Sequence, residues 1–198
     1  MLNLRDQAIR LRWSSFASFG IAVGKLIVAI MTFSIFLGIN AFYTATIGYG
    51  KHQSAVGLSR RDEISEESYY RRIGLLILVA SIIYLIYGMR MFFTNTVTDY
   101  EKIPAISIAA ITFFELGLNL FGIVKSNKDK DLLLQAAKLL NLSSALIGLV
   151  LTQAALLSFT ETKTHPIANL ITTILFSGIN IVIGIWMLAK KMPENLNQ

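Results

Sequence analysis

The sequence predicts an all-α, polytopic membrane protein whose six transmembrane helices form one bundle. Three observations predict this class: 54% of the 198 residues are hydrophobic, only 15% are charged, and the mean hydropathy is +0.59. An ordinary globular domain carries about 25% charged residues. The chain has no cysteine, which excludes disulfide frameworks and cysteine-ligated zinc. We expect a single transmembrane domain over residues 1–198, surrounded by a lipid bilayer.

The spans are predicted from apolar runs that can cross ~30 Å of hydrocarbon, which takes about 20 helical residues each. The first run, residues 14–49, is too long for one span, and the polar residues Thr32 and Ser34 predict a tight turn that divides it. Four further runs follow, separated by polar or charged connectors. The six predicted spans are 13–31, 33–58, 73–93, 103–124, 132–160 and 167–189.

The basic residues predict the orientation, because Lys and Arg near span ends collect on the cytoplasmic side. With six spans and both termini inside, 13 of the 18 basic residues lie in cytoplasmic segments, whereas the outer loops hold only Lys102 and Lys163. Five spans would remove this asymmetry. We therefore expect a multi-pass protein of a cell membrane, the bacterial plasma membrane, with cytoplasmic N and C termini. This topology also explains the net charge of +6, so no nucleic-acid partner is expected.

Sequence motifs for enzymatic chemistry are missing. The chain has two histidines, with no H-x-x-x-D or H-E-x-x-H arrangement, and it has no Walker loop, G-x-G-x-x-G or nucleophile elbow. We therefore expect no enzyme and no cofactor.

Ionisable residues inside the spans are the candidate functional groups, since each costs ~2.5–3.5 kcal/mol at the bilayer centre on insertion scales. Glu115 lies near the middle of span four, and Lys138 enters span five to a similar depth from the same side, which predicts an ion pair. Such a pair is either structural, fixing helix register, or functional, as a proton relay or substrate contact. Lys25 lies seven residues before Thr32, so its ammonium group is expected to snorkel to the outer interface.

Neighbouring polar residues predict a substrate path between spans two, four and five. Asn119 follows Glu115 by one helical turn and is also expected to hydrogen-bond across helices. Gly20 and Gly24 form a small-residue motif that predicts close helix approach. The candidate path residues are Asn40, Tyr43, Thr44, Glu115, Asn119, Lys138, Asn141 and Ser144.

Short stretches in several spans are similar to one known family. They are Gly24-Lys25-Leu26-Ile27-Val28-Ala29 with Thr32 in the first span, Tyr70-Arg71-Arg72 before the third, Asn119 in the fourth, Ala136-Ala137 and Leu142-Ser143-Ser144-Ala145-Leu146 in the fifth, and Pro166-Ile167-Ala168-Asn169 at the sixth. On these residues the chain resembles the transmembrane domain of the cation diffusion facilitator, or cation efflux, family. The resemblance implies a six-span bundle with cytoplasmic termini.

The resemblance also implies a divalent-cation site between spans two and five, but its ligands are replaced in this chain. The ligand pair of span two aligns with Tyr43 and Ile47, and that of span five with Leu140 and Ser144. Leucine and isoleucine cannot coordinate a metal, and hydroxyl groups bind Zn²⁺ weakly without a carboxylate. Asn169 stands where the family has an acid. We therefore expect a degenerate site without metal, and no counterpart of the family's C-terminal cytoplasmic domain.

Two functions remain open. The first is secondary transport of a small, unidentified solute or ion, with Glu115 as a proton-coupling group modulated by Lys138. The alternative is a transport-inactive family member that acts as a membrane scaffold or regulatory partner, as a homodimer through span three or with another membrane protein. A central face sealed by Ile47 and Leu140 would favour the alternative.

Overall fold

The structure is a computed structural model that describes residues 4–60, 65–93, 102–125, 131–160 and 166–190. These residues form six α-helices and no strand. The helices are α1 (Leu4–Met31), α2 (Ile35–Ser59), α3 (Glu66–Phe93), α4 (Lys102–Lys125), α5 (Leu132–Thr160) and α6 (Pro166–Ala189).

The tight turn predicted between the first two spans joins α1 to α2. Phe33 has a φ of 49°, in the left-handed region that bulky residues rarely adopt, and its side chain is 93% exposed. The Ser34 amide donates to the Ala29 carbonyl at 2.9 Å, while the Ser34 hydroxyl caps α2 by accepting from the Leu37 amide at 3.2 Å. The turn makes α1 and α2 antiparallel neighbours, and Arg12 of α1 consequently reaches Ser59 at the far end of α2.

Helices α1 and α3 begin earlier than the predicted spans 13–31 and 73–93. Their first turns are charged, and in α3 the Arg71 guanidinium pairs with the Glu67 carboxylate one turn before it at 2.6 Å. Hydropathy locates the apolar part of a helix, whereas the helix itself continues into polar turns that its own backbone hydrogen bonds stabilise.

Four helical segments of the described chain are long and apolar enough to cross a membrane: Arg5–Met31, Glu66–Arg90, Leu132–Leu157 and Ile167–Ala189. The apolar segment of α4, Ala105–Phe121, is shorter. Helix α2 is not in this set, and it packs against α1, α3 and α5. The position of α2 explains its polar composition, because a helix enclosed by other helices can satisfy polar side chains inside the protein.

Helices α3 and α6 approach each other closely through glycine. A Cβ atom added at Gly184 would lie 3.0 Å from the Gly74 carbonyl oxygen and 2.8 Å from the Leu78 Cβ. The predicted close approach at Gly20 and Gly24 is not made within the described part of the chain, where nothing lies within 4 Å of a Cβ at either position. Close backbone approach through two glycines is therefore found between α3 and α6 and not at Gly20 and Gly24.

Unlike a water-soluble protein, the bundle exposes many large apolar side chains and buries many polar ones. Large apolar side chains are exposed along the outer faces of the bundle, among them Phe16, Phe113, Phe121, Val182 and Trp186. The interior combines an apolar core, which includes Tyr43, Ile47, Ile77 and Leu140, with many buried polar side chains. These buried polar groups form the candidate site.

Candidate functional site

A buried ion pair joins Lys25 of α1 to Glu115 of α4. The Lys25 Nζ atom contacts the Glu115 Oε2 atom, and the two side chains are only 3% and 6% exposed. Two predictions are therefore wrong: Lys25 does not snorkel to an interface, and the partner of Glu115 is Lys25 instead of Lys138. The reason is the rotational setting of the helices, because the Glu115 side chain meets Lys25 of α1, Thr44 of α2 and Ser144 of α5, and Lys138 is half-buried elsewhere on α5.

Oxygen atoms surround the Lys25 ammonium group. Its Nζ donates to the Asn40 Oδ1 atom at 2.8 Å and to the Thr44 Oγ1 atom at 3.0 Å, besides the Glu115 carboxylate. Asn40 and Thr44 are four residues apart and share one face of α2. An ammonium group has three N–H donors, so these three acceptors satisfy it fully.

The Glu115 carboxylate is held from two further sides. Its Oε1 atom accepts from the Ser144 hydroxyl on α5 at 2.8 Å and lies 3.4 Å from the Thr44 hydroxyl. Four helices, α1, α2, α4 and α5, therefore each contribute polar side chains to one centre, which we call the Lys25–Glu115 centre: Lys25, Asn40, Thr44, Glu115 and Ser144.

A second buried lysine lies next to this centre. The Lys51 Nζ atom donates to the Ser18 hydroxyl at 3.0 Å and to the Asn119 Oδ1 atom at 3.1 Å, and Lys51 is only 3% exposed. The predicted topology places Lys51 among the 13 basic residues of the cytoplasmic segments, so its burial was not predicted. The spacing of the polar residues could have indicated this burial, because Asn40, Thr44 and Lys51 lie on one face of α2.

Tyr43 belongs to a different polar group. Its hydroxyl lies 3.4 Å from the Ser81 hydroxyl of α3 and accepts from the Asn180 Nδ2 atom of α6 at 3.1 Å. The Asn180 Nδ2 atom also donates to the Ser143 carbonyl at 3.2 Å. Tyr43 and Thr44 are neighbours in sequence and point to different sides of α2, so the predicted path residues do not form one set.

The structure brings together four of the eight predicted path residues: Asn40, Thr44, Glu115 and Ser144. Asn119 lies one helical turn away, against Lys51. Asn141 is 8% exposed, and its Oδ1 atom has no hydrogen-bond partner among the described residues. Tyr43 and Lys138 lie outside the centre.

The centre contains one carboxylate and an ammonium group, and the described residues hold no group of three or more His, Cys, Asp or Glu side chains suited to a metal ion. Divalent cations prefer several anionic oxygen ligands. The arrangement instead holds a positively charged group, the Lys25 ammonium, through charge-assisted and neutral hydrogen bonds.

The apolar wall beside the centre is closed. Ile47 and Leu140 are both 0% exposed and belong to one core cluster. A Cβ atom at Gly50 of α2 would lie 2.7 Å from the Leu140 Cδ2 atom, so α2 and α5 are in close contact there. Among the described residues, α2 and α5 are therefore packed directly against each other at Ile47, Gly50 and Leu140.

Fold and site together define an all-helical protein with four helices apolar enough to cross a membrane and a charged centre in its interior. No protein-family model matches the chain, and neither does any curated protein. The likeness to cation diffusion facilitators therefore depends on the short stretches quoted above.

Proposed function

We propose that the chain is an integral protein of a cell membrane whose six helices all span the bilayer, in a bundle resembling the cation efflux transmembrane domain. The exposed apolar outer faces support this arrangement, since lipid is the solvent that such faces prefer. Helix α2 has 25 residues and a length of about 38 Å, which is sufficient to span, and its polar side chains Asn40, Thr44 and Lys51 form hydrogen bonds inside the bundle.

The proposed orientation has both termini in the cytoplasm. Arginine side chains are exposed at one end of the bundle, where α1 and α3 begin and α2 ends. They are Arg10, Arg12, Arg60, Arg71 and Arg72. Concentration of basic residues at one end supports assigning that end to the cytoplasmic side.

We further propose that the protein is a secondary transporter of a small solute or ion that uses the Lys25–Glu115 centre. One observation supports this: an ion pair is buried at the junction of four helices. Ionisable groups inside a membrane bundle commonly mark ion or substrate pathways because their burial is expensive. In this proposal the lysine that modulates proton coupling by Glu115 is Lys25, and not Lys138 as the sequence predicted.

The proposed coupling follows from charge balance at the centre. A proton that binds the Glu115 carboxylate removes the negative charge that holds the Lys25 ammonium group. A cationic solute that binds the carboxylate must likewise displace Lys25, because the ammonium occupies the surrounding oxygen atoms. Either event alters contacts between α1 and α4, and so ligand binding is linked to the arrangement of the helices.

The test is flux into liposomes that contain the purified protein, across an imposed pH gradient. The probes are Zn²⁺, Mn²⁺, Fe²⁺, Co²⁺, Na⁺, K⁺ and methylammonium, with a pH-sensitive dye recording proton movement. Wild-type protein should move at least one probe together with protons, and Glu115→Gln should abolish this coupling. Glu67→Gln is the matched control, since Glu67 pairs with Arg71 on the exposed end of α3. Coupling that is unchanged in Glu115→Gln would rule out the assigned role.

The closed contact around Ile47 and Leu140 supports the second candidate function, a transport-inactive scaffold or regulatory partner. The Lys25–Glu115 pair is then structural and fixes the register of α1 against α4. Under this proposal no probe is transported, and the wild-type protein extracted in mild detergent should have the mass of a homodimer or of a complex with another membrane protein. A monomer that transports any probe would exclude it.

A further inference from the structure

Lys51 is a buried positive charge without a contacting negative partner in the described part of the chain. Its ammonium group donates to the hydroxyl of Ser18 and to the side-chain Oδ1 atom of Asn119, and both acceptors are neutral. These two acceptors leave one of its three N–H donors unused. The nearby Glu115 carboxylate, one turn before Asn119 on α4, is already paired with Lys25.

The side chain of Asn119 presents a second unused donor at the same place. Asn119 is 3% exposed, and its Nδ2 atom is buried without any hydrogen-bond acceptor among the described residues. This nitrogen is bonded to the same carbon atom as the oxygen that accepts from Lys51. The Lys51 ammonium and the Asn119 amide nitrogen therefore lie on either side of the same Oδ1 atom, and among the described residues each has a buried N–H group that no acceptor contacts.

An acceptor with negative charge would complete this arrangement. A buried donor without a partner destabilises the folded protein, and more strongly when the donor is charged. An ammonium without an anion in direct contact is more unfavourable still in a low-dielectric interior, and an anion that accepts from both donors would reduce both penalties.

The position of Lys51 agrees with delivery of an anion from one end of the bundle. Lys51 lies eight residues, about 12 Å along the helix axis, from the end of α2 at Ser59. Exposed Arg12 and Arg60 lie at that same end, with further arginines at the start of α3. Clustered positive charge raises the local concentration of anions.

We propose that Lys51 and Asn119, together with the Ser18 hydroxyl, form a binding site for one small monovalent anion. The recognising chemistry is an ammonium and an amide donor, which suits a halide ion or a small carboxylate such as formate. The site is separate from the Lys25–Glu115 centre, and the proposal does not require transport.

The first experiment measures the melting temperature of the detergent-solubilised full chain at constant ionic strength. Sodium gluconate, whose anion is too large for a site formed by three side chains, is the reference, and chloride and formate replace it in separate series. A ligand at about 100 times its Kd should raise the melting temperature by about 5 °C or more. A response to chloride alone assigns a halide site, and a response to formate assigns a site for carboxylates. Identical melting temperatures in all three salts would overturn the proposal.

Asn119→Asp is the most informative variant because it supplies an internal carboxylate of the same shape beside Lys51. Its melting temperature in gluconate should equal that of the wild type in chloride, and chloride should have no further effect. Lys51→Met should likewise remove the response to chloride. Lys190→Met is the control, since Lys190 lies outside the site and donates to Gln135 on α5. A chloride response that persists in Asn119→Asp, or an Asn119→Asp protein less stable than the wild type in gluconate, would contradict the proposal even if Lys51→Met does not fold.

Discussion

Lys25 and Glu115 are 90 residues apart in the sequence and form an ion pair in the interior of the bundle. The pair connects α1 with α4, and Asn40, Thr44 and Ser144 complete its hydrogen bonds from α2 and α5. Both side chains are buried, so the position of each depends on the other.

We predict that the two charges contribute to stability as a unit. Lys25→Met leaves a buried carboxylate unpaired and should destabilise the protein by about 3–5 kcal/mol. The double variant Lys25→Met/Glu115→Leu removes both charges and should be within about 1 kcal/mol of the wild type, or more stable. Denaturant unfolding in micelles measures both values. Additive losses in the double variant would contradict this coupling.

The hydroxyl of Ser144 should contribute measurably because it donates to a charged group. Ser144→Ala removes this hydrogen bond at 2.8 Å and should cost about 1.5–3 kcal/mol. Thr46→Ser is the control: the exposed Thr46 hydroxyl bonds the Phe42 carbonyl of its own helix, and serine keeps that bond. The same unfolding assay compares the two, and equal effects would show that the Ser144 contact contributes little.

Alanine substitution should have opposite effects at two glycines. Gly184→Ala places a methyl group 3.0 Å from the Gly74 carbonyl oxygen and should destabilise by about 1–3 kcal/mol through overpacking. Gly20→Ala enters open space and should stabilise α1 by up to about 1 kcal/mol. Thermal unfolding of both variants tests this contrast. A loss of stability at Gly20 would reveal another helix packed on that face.

The proposed topology predicts opposite accessibility of the two ends of α2. Because the chain has no cysteine, single cysteines introduced by Phe33→Cys and Arg60→Cys can be labelled selectively. A membrane-impermeant maleimide applied to intact cells should label the Phe33→Cys protein, and should label the Arg60→Cys protein only after permeabilisation. Labelling of both from the outside would contradict a spanning α1–α2 hairpin.

The sequence predicted the α1–α2 turn because Thr32 and Ser34 interrupt an apolar run longer than one span. It also identified Glu115 as a candidate functional residue, because an acid in the middle of an apolar span is costly to bury. Its partner could not be predicted from depth alone. Lys25 and Lys138 both lie at suitable levels, and the choice depends on how α4 is rotated about its own axis.

The burial of Lys51 was not predicted, for a related physical reason. The topology prediction counts basic residues by segment and so assumes that a lysine near the end of a span faces water. Whether such a side chain turns inward depends on the acceptors that neighbouring helices provide, here Ser18 of α1 and Asn119 of α4. Those contacts join residues 33 and 68 positions apart, so the shared face of Asn40, Thr44 and Lys51 on α2 could indicate an inward direction for Lys51 but not its partners.

The glycine contact between α3 and α6 restricts which helices can move. With the Gly74 and Gly184 backbones this close, the side chains of Leu78 and Met187 fit into the spaces that the glycines leave. Axial sliding of α6 along α3 would drive these side chains into the opposite backbone. The α3–α6 pair should therefore behave as a fixed frame, and any rocking motion that exposes the Lys25–Glu115 centre should be carried by α1, α2, α4 and α5.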